Sequence, residues 1–284
     1  MRNPGIPCRW LAAVFVLVPW PPLHAAKNAP ADTVERFIAG HSVEGRPIEC
    51  EVYGSGPDVL LVIATIHGNE ACGTPLVAAF AKWLVAHPAE LTGRTVVIVP
   101  VANPDGYAAG KRFNARNVDL NRNFPAGNWG VPQEPDDPES SKSSASTKTL
   151  TSPDGSTYAS GKRFKPGDTP LSEPESRALM QLICRYYPNR ILSIHQPVAC
   201  IDYDGPAEEL AAAMGVMCPL PVKQLGSRPG SLGSFVGNSL QKPIVTWEFP
   251  EEAGMDADEL WKTYGDALIA ALQIDRNSDR TSQH

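Results

Sequence analysis

The chain has 284 residues, of which 42% are hydrophobic and 20% are charged, and its formal net charge is −6. This length is sufficient for one large hydrophobic core or two small domains. The acidic balance, together with the lack of a basic stripe with interleaved aromatic residues, argues against nucleic acid as a partner.

The first 26 residues are predicted to form a cleaved signal peptide. Arg2 and Arg9 precede the apolar run 11–18, and prolines and then small residues up to Ala26 follow it. This order is typical of secretory signals. The run is shorter than the roughly 20 residues that cross a bilayer, so no stable membrane insertion is expected after cleavage. Loss of the two arginines changes the formal charge from −6 to −8, and the mature protein is expected in the periplasm or outside the cell.

The segment from residue 47 to residue 101 has a strand–helix–strand pattern. Residues 47–52 alternate between apolar and polar side chains, and residues 58–65 are almost continuously apolar, as in a strand that is covered on both faces. Residues 70–85 have apolar side chains at helical spacing, and residues 95–101 form another apolar strand. A strand, a helix and a strand in this order predict a parallel pair with a crossover helix.

The second half of the chain begins with a polar insertion at about 126–170, rich in serine, threonine, proline and glycine. Ser172 and Glu175 then have the spacing of a helix capping box. Strands are predicted at 190–195 and 242–249, and helices at 206–216 and 260–274. The sequence predicts one domain over 27–284, a three-layer α/β/α fold with a mixed, mostly parallel sheet. The oligomeric state stays open.

Five cysteines follow the predicted signal, at irregular spacing: Cys50, Cys72, Cys184, Cys200 and Cys218. Their spacing matches no zinc finger or zinc ribbon. In an oxidising compartment they allow one or two disulfides, and buried free thiols are an equal alternative.

Polar residues stand at the ends of three predicted strands. His67 follows the strand 58–65, His195 ends the strand 190–195, and Glu248 lies near the end of the strand 242–249. Open α/β sheets place their sites at the carboxyl ends of parallel strands. With Glu70, the two histidines supply three ligands for a catalytic zinc ion, which keeps a further position for water. Glu248 would lie beside that water and take its proton.

A second group of polar residues lies at 103–125, in the sequence NPDGYAAGKRFNARNVDLNRNFP. It contains four cations, Lys111, Arg112, Arg116 and Arg122. A peptide hydrolase needs a cation near the developing oxyanion, and an arginine can hold a carboxylate in a bidentate manner. The alternative is an ordinary solvated basic loop.

The motifs HGNE, NPDGY, NVDLNRNFP, SIH and VTWEF occur in this order. Together they resemble the zinc metallocarboxypeptidases of the carboxypeptidase A type, over nearly the whole mature chain. The stretches NFPAGNW, SEPESRAL, HQPVACID and PGSLGSF resemble most closely the bacterial murein peptide amidases, which cut the γ-D-glutamyl–meso-diaminopimelate bond of cell-wall peptides.

The resemblance implies a role for each matching residue. His67, Glu70 and His195 would bind one zinc ion, with Asp119 orienting His67 from behind. Glu248 would be the general base and acid. Arg112 would stabilise the oxyanion, with Arg116 as a weaker rival if the alignment slips. Asn121 and Arg122 would hold the free carboxylate of the released residue.

Two features depart from the family pattern. Digestive relatives present a tyrosine ahead of the catalytic glutamate, whereas residues 227–240 contain none, so that Ser231, Phe235 or no residue takes that place. The murein peptide amidases mostly act in the cytoplasm, whereas this chain is predicted to carry an export signal.

The sequence therefore predicts an exported zinc peptidase that acts on peptidoglycan-derived peptides. Asp202 and Asp204 are candidate contacts for the distal ammonium group of diaminopimelate, or else solvated turn residues. The alternatives are an exported carboxypeptidase acting on ordinary peptides, a deacylase of N-acyl amino acids, and a catalytically silent cell-wall binding module. The last would lack a ligand or the glutamate, and none is missing.

Overall fold

The computed structural model describes residues 34–131, 150–151, 157–158 and 165–274. The predicted signal peptide and most of the predicted insertion at 126–170 lie outside these residues. In the described part, eight strands form one sheet and five α-helices flank it.

The strands are β1 Val34–His41, β2 Pro47–Gly54, β3 Asp58–Ala64, β4 Arg94–Val99, β5 Leu150–Thr151, β6 Thr157–Tyr158, β7 Arg190–His195, β8 Val198–Asp204, β9 Val222–Lys223 and β10 Ile244–Pro250. The helices are α1 Gly73–Ala86, α2 Pro104–Ala109, α3 Pro174–Tyr186, α4 Glu208–Val216 and α5 Ala257–Gln273. Short 3₁₀ turns lie at Pro88–Leu91 and Leu120–Arg122, and a short π-helical segment at Ser234–Ser239. β5 and β6 pair only with each other.

The main sheet has the order β1-β2-β4-β3-β7-β10-β8-β9. Its four central strands, β4, β3, β7 and β10, run parallel. On one side β2 and β1 add in antiparallel orientation, and on the other side β8 pairs antiparallel with β10. The predicted single α/β domain with a mixed, mostly parallel sheet is confirmed.

Both faces of the central strands are buried. On one face, Leu60, Val62, Leu192 and Trp247 pack with α1, α4 and α5. On the other face, the alternate residues of the same strands pack with α3 and with the loops that carry Leu120, Phe124 and Phe235. A strand covered on both sides cannot alternate in polarity, and this explains the unbroken apolar run of β3.

Two longer strands of the main sheet, β1 and β8, were not predicted from the sequence, and neither were the two-residue strands β5, β6 and β9. β1 is an edge strand with mostly exposed or half-buried side chains, so it has little apolar alternation. β8 contains Asp202 and Asp204, and aspartate is rare in strands, which made this segment resemble a turn. The predicted helix over 70–85 begins at Gly73, because residues 65–72 form the loop that follows β3.

The predicted capping box at the start of α3 is wrong. The residue that precedes the helix is Glu173, with no side-chain cap. Glu175 is instead fully buried and accepts hydrogen bonds from the backbone N–H of Val43 (3.1 Å) and from Nδ2 of Asn114 (3.3 Å). The carboxylate is thus used in tertiary contacts that the local spacing does not reveal.

The five cysteines Cys50, Cys72, Cys184, Cys200 and Cys218 are free thiols. Among the described residues, no helix has both the length and the apolar character that a membrane crossing requires.

Arg190, at the start of β7, fastens the C-terminal end of α5 to the sheet. Its guanidinium donates to the carbonyls of Ala271 (2.6 Å) and Leu272 (2.7 Å) and makes two bonds with Asp58 (2.5 and 3.0 Å). The side chain is buried. Helix-terminal carbonyls have no partner within the helix, so Arg190 supplies donors that no nearby solvent can replace.

We predict that Arg190→Met lowers the free energy of unfolding by about 3 kcal/mol. Removing the guanidinium would leave the Asp58 carboxylate and two buried helix carbonyls without their donor, and losing one member of a buried ion pair typically costs this much. Urea denaturation followed by circular dichroism measures the change. As a control, Arg94→Met removes a half-exposed arginine near the same Asp58 and should cost no more than about 1 kcal/mol. Equal losses in the two variants would contradict this role for Arg190.

Candidate metal centre

The HGNE sequence forms a tight loop after β3. The backbone N–H of Glu70 donates to the carbonyl of His67 (3.0 Å), which closes a turn, and the N–H of Gly68 donates to the carbonyl of Arg112 (3.2 Å). A Cβ atom at Gly68 would lie 2.0 Å from the backbone carbon of Gly106. Only glycine fits this close approach, which fixes the loop against α2 and against the segment that carries Arg112.

The loop brings His67 and Glu70 to His195, the last residue of β7. Nδ1 of His67 lies 2.8 Å from Oε1 of Glu70, and Nδ1 of His195 lies 2.9 Å from Oε2 of the same carboxylate. The two Nδ1 atoms are 3.2 Å apart. The three side chains are 2%, 5% and 2% exposed, so these polar atoms converge in a region largely closed to solvent.

Each histidine has a second partner behind its ring. Nε2 of His67 lies 3.0 Å from Oδ1 of Asp119, which is fully buried. Nε2 of His195 lies 3.0 Å from Oγ of Ser193. Asp119 was predicted from the sequence, whereas Ser193 was not. The missed signal is the alternation of strand side chains, which puts Ser193 on the same face of β7 as His195.

Charge stabilises the two buried carboxylates. Burial by itself would raise the pKa of Glu70, but His67 and His195 lie beside it and hold the pKa below its ordinary value. Burial likewise opposes ionisation of Asp119, whereas His67, Arg112 and Arg122 hold its pKa below the ordinary value. Both residues are therefore anionic at neutral pH.

Glu248 lies next to His195 in the parallel pairing of β10 with β7. It is half-buried, and the backbone N–H of Val198 approaches its Oε2 at 3.4 Å. Burial raises the pKa of Glu248 above its ordinary value; His195 opposes this rise and Glu70 adds to it. The carboxyl group thus stands at the edge of the histidine cluster with access to solvent.

Of the two candidate arginines, Arg112 is the one that contacts the cluster. Its Nη1 lies 2.8 Å from Oε1 of Glu70, and its Nε lies 3.1 Å from Oδ2 of Asp119. Arg116 lies on the other side of the loop, with 56% of its side chain exposed and its Nη1 3.6 Å from Glu173. The loop geometry therefore separates a cation at the site from a cation at the surface.

Asn121 and Arg122 lie on the 3₁₀ turn that follows Asp119. Oδ1 of Asn121 accepts from the backbone N–H of Leu232 (2.9 Å), and Arg122 is buried, with Nη1 2.6 Å from the carbonyl of Asn121. Asn121 therefore fastens the loop at 230–234 beside the cluster.

Ser231 and Phe235, the two candidates for the missing tyrosine, are both buried. Oγ of Ser231 accepts from the N–H of Ser234 (3.0 Å), and the ring of Phe235 stacks on Phe124 at 6.3 Å. Both side chains have contacts of their own inside the loop.

The donor atoms of His67, Glu70 and His195 lie within 4.8 Å of one another. Two imidazoles and one carboxylate are a common ligand set for zinc in hydrolases. Asp119 and Ser193 at the outer nitrogens leave both Nδ1 atoms to face the centre of the cluster, as the second contact shell of a metal site requires. The residues therefore fit a zinc ion.

Comparison with known proteins agrees with this geometry. Residues 23–207 match the family model of the zinc carboxypeptidases, which is more than half of the chain. The chain belongs to the zinc carboxypeptidase family. Enzymes of this family are zinc metallopeptidases, so the family and the ligand set point to the same metal. Glu248 lies beyond the matched segment, and its position rests on the pairing of β10 with β7.

Several relatives share most of the chain. Murein peptide amidase A of Escherichia coli K12 is 35% identical over 201 residues, which are 70% of this chain and 74% of the relative. Murein peptide amidase A of Vibrio campbellii is 33% identical over 217 residues, 76% of this chain and 77% of the relative.

Solved structures give the same result for the fold. The murein-tripeptide amidase MpaA from Escherichia coli O157 superposes with a TM-score of 0.57 at 29% identity, covering 89% of this chain and 97% of that one. The bovine thrombin-activatable fibrinolysis inhibitor superposes with a TM-score of 0.65 at 20% identity, covering 85% and 88%. The second likeness concerns the fold alone.

We predict that Asp119→Asn weakens zinc binding by about 10-fold, since partners behind metal-binding histidines typically contribute 10- to 100-fold in affinity. The neutral amide is a poorer acceptor for Nε2–H of His67. Competition with a chromogenic chelator measures the affinity. Asp258→Asn, at an exposed position of α5, is the control. Unchanged zinc affinity in Asp119→Asn would contradict the assignment.

Proposed function

We propose that this protein is an exported zinc-dependent amidase that hydrolyses the γ-D-glutamyl–meso-diaminopimelate bond of peptidoglycan stem peptides. The main support is the likeness to murein peptide amidases over about three quarters of the chain, combined with the convergence of His67, Glu70 and His195. Relatives named as carboxypeptidases match shorter segments of the sequence, such as carboxypeptidase SOL1 of Arabidopsis thaliana, which is 39% identical over 31% of this chain.

His67, Glu70 and His195 would hold the zinc ion. Zinc in such a site polarises the scissile carbonyl and lowers the pKa of water. Asp119 keeps the ring of His67 oriented, and its negative charge increases the basicity of the histidine.

Glu248 is the proposed proton carrier. Its carboxylate stands beside the cluster and reaches solvent, so that it can accept a proton from the attacking water and pass it to the leaving amine. Arg112 is the proposed stabiliser of the oxyanion, since its guanidinium already lies at the edge of the ligand set and positive charge there stabilises the developing negative charge.

Asn121 and Arg122 are the proposed binding residues for the free carboxylate of the departing amino acid. A guanidinium can donate two parallel hydrogen bonds to a carboxylate. Oδ1 of Asn121 accepts from the backbone N–H of Leu232, so the Nδ2 group of Asn121 is the one that can donate to the carboxylate.

Asp202 and Asp204 support diaminopimelate as the leaving residue. In the antiparallel pairing of β8 with β10, Asp202 lies opposite Thr246, and Cys200 lies opposite Glu248. Directly opposed residues share a face of the sheet, so the two aspartates continue the face of Glu248, with Asp202 about 7 Å further along the strand.

The electrostatics of this acidic pair favour a cation. Both side chains are buried. Burial, and then the charge of Asp202, raise the pKa of Asp204 to about 6. A buried carboxylate pair disfavours its own ionisation and therefore favours a positively charged group that restores it. The distal ammonium of diaminopimelate is such a group.

Export is proposed from the sequence of residues 1–26, with its two arginines, apolar run and small residues. An exported enzyme would meet peptidoglycan or its soluble fragments in the periplasm.

We expect Glu248→Gln to reduce kcat by a factor of at least about 100, the low end of the contribution of a general acid–base, while zinc stays bound. The amide keeps the shape of the side chain but cannot accept the proton. Turnover of a defined muropeptide is followed by mass spectrometry, and zinc content by metal analysis. Near-normal turnover with full zinc occupancy would refute the role of Glu248.

We expect Asp204→Asn to lower kcat/KM on a muropeptide that ends in diaminopimelate by roughly 30-fold, from a cost of about 2 kcal/mol when a buried charge pair loses one partner. Hydrolysis of an L-peptide that ends in alanine should change little. Asp258→Asn is the control. Equal losses on both substrates would contradict a role in cation recognition. If the wild-type protein prefers the alanine peptide, it is an exported carboxypeptidase of ordinary peptides instead.

A further inference from the structure

The two candidate histidine ligands have chemically different partners. Asp119 behind His67 is an anion and can only accept a hydrogen bond, so it always keeps the proton on Nε2 of His67. Ser193 behind His195 has a hydroxyl group, which can either donate or accept. The distance is 3.0 Å in each pair, so the two pairs differ in the chemistry of the partner and not in its distance from the ring.

Ser193 is held where its hydroxyl meets Nε2, the outer nitrogen of the His195 ring. It lies two residues before His195 on β7, on the same face of the strand. It is 1% exposed, so bulk water does not compete for Nε2 of His195. The parallel pairing of β7 with β3 on one side and β10 on the other fixes the backbone of both residues.

The tautomer of His195 decides whether this ring can bind a metal ion. A neutral imidazole carries its proton on one nitrogen and a lone pair on the other. Nδ1 is the atom that faces Glu70 and His67, so a metal ion in the cluster requires the lone pair there and the proton on Nε2. Ser193 must then accept. If Ser193 donates instead, the proton is on Nδ1, where it points at the Glu70 carboxylate.

From this geometry we propose that Ser193 is the positioning residue of His195 and acts as a reversible partner. Its hydroxyl accepts from Nε2–H when zinc is bound and donates to Nε2 when zinc is absent. The proposal rests on the zinc site assigned above, but it is independent of the substrate.

The affinity of zinc for the whole protein tests the proposal. Ser193→Ala removes the acceptor and should weaken zinc binding by about 10-fold in chelator competition, whereas Ser193→Thr keeps the hydroxyl and should restore the affinity. Ser176→Ala is the matched control, because Ser176 is also fully buried and its hydroxyl has no hydrogen-bond partner among the described residues. Urea denaturation of the zinc-free variants shows whether they fold.

The imidazole nitrogen signals of His195 in the wild-type protein provide a second readout that does not depend on any variant folding. We expect ¹⁵N NMR to place the proton on Nε2 in the zinc-bound protein and on Nδ1 in the zinc-free protein. An Nε2 proton in both states, or zinc affinity in Ser193→Ala equal to that of Ser176→Ala, would overturn the proposal. Failure to cleave muropeptides with these results intact would refute only the proposed substrate.

Discussion

The parallel pairing of β3, β7 and β10 is the constraint on which the metal centre depends. It places Ala64 beside Ile194 and His195 beside Glu248, so that the carboxyl-terminal ends of the three strands lie at one edge of the sheet. Each strand is buried on both faces, and a slip of one residue would exchange the faces of all its side chains. The distances between His67, His195 and Glu248 are thus fixed by the packing of a large apolar core rather than by the polar residues themselves.

This core brings charged groups into a region of low polarity, where each needs a partner. Glu70 and Asp119 are buried anions, and Arg112 bridges them with Nη1 and Nε. A buried carboxylate without a nearby positive charge would destabilise the folded protein by several kcal/mol or become protonated. For Asp119 the arginine adds to the positive charge of His67, and its contact with Glu70 ties that carboxylate to the same network, in addition to any part it plays with a substrate. The glycine contact between residues 68 and 106 holds the two loops together so that this bridge can form.

The sequence predicts the elements whose signal is local and apolar. The runs that became β3, β4, β7 and β10 are visible because a doubly covered strand is continuously hydrophobic, and their polar ends identify His67, His195 and Glu248 as a set. Elements that depend on tertiary context were not visible. β8 contains two aspartates that the fold buries, and Glu175 has the spacing of a helix cap but bonds to Val43 and Asn114. Ser193 was not predicted, although its place two residues before the candidate ligand His195 in a predicted strand puts both side chains on one face.

The two halves of the proposed site have different structural origins, and this separates the proposed metal binding from the proposed substrate selection. The candidate metal ligands and Glu248 come from the parallel centre of the sheet and from the loop directly after β3. The acidic pair Asp202 and Asp204 comes from β8. This strand pairs in antiparallel orientation with β10, its neighbour toward the centre of the sheet. Under this proposal, a change of charge on β8 would alter the favoured group without moving His67, Glu70 or His195, because within the described part of the chain the hydrogen bonds of these three side chains do not involve β8. In the proposed function, one zinc centre would serve amidases and carboxypeptidases alike, and the neighbouring strand would select the leaving residue.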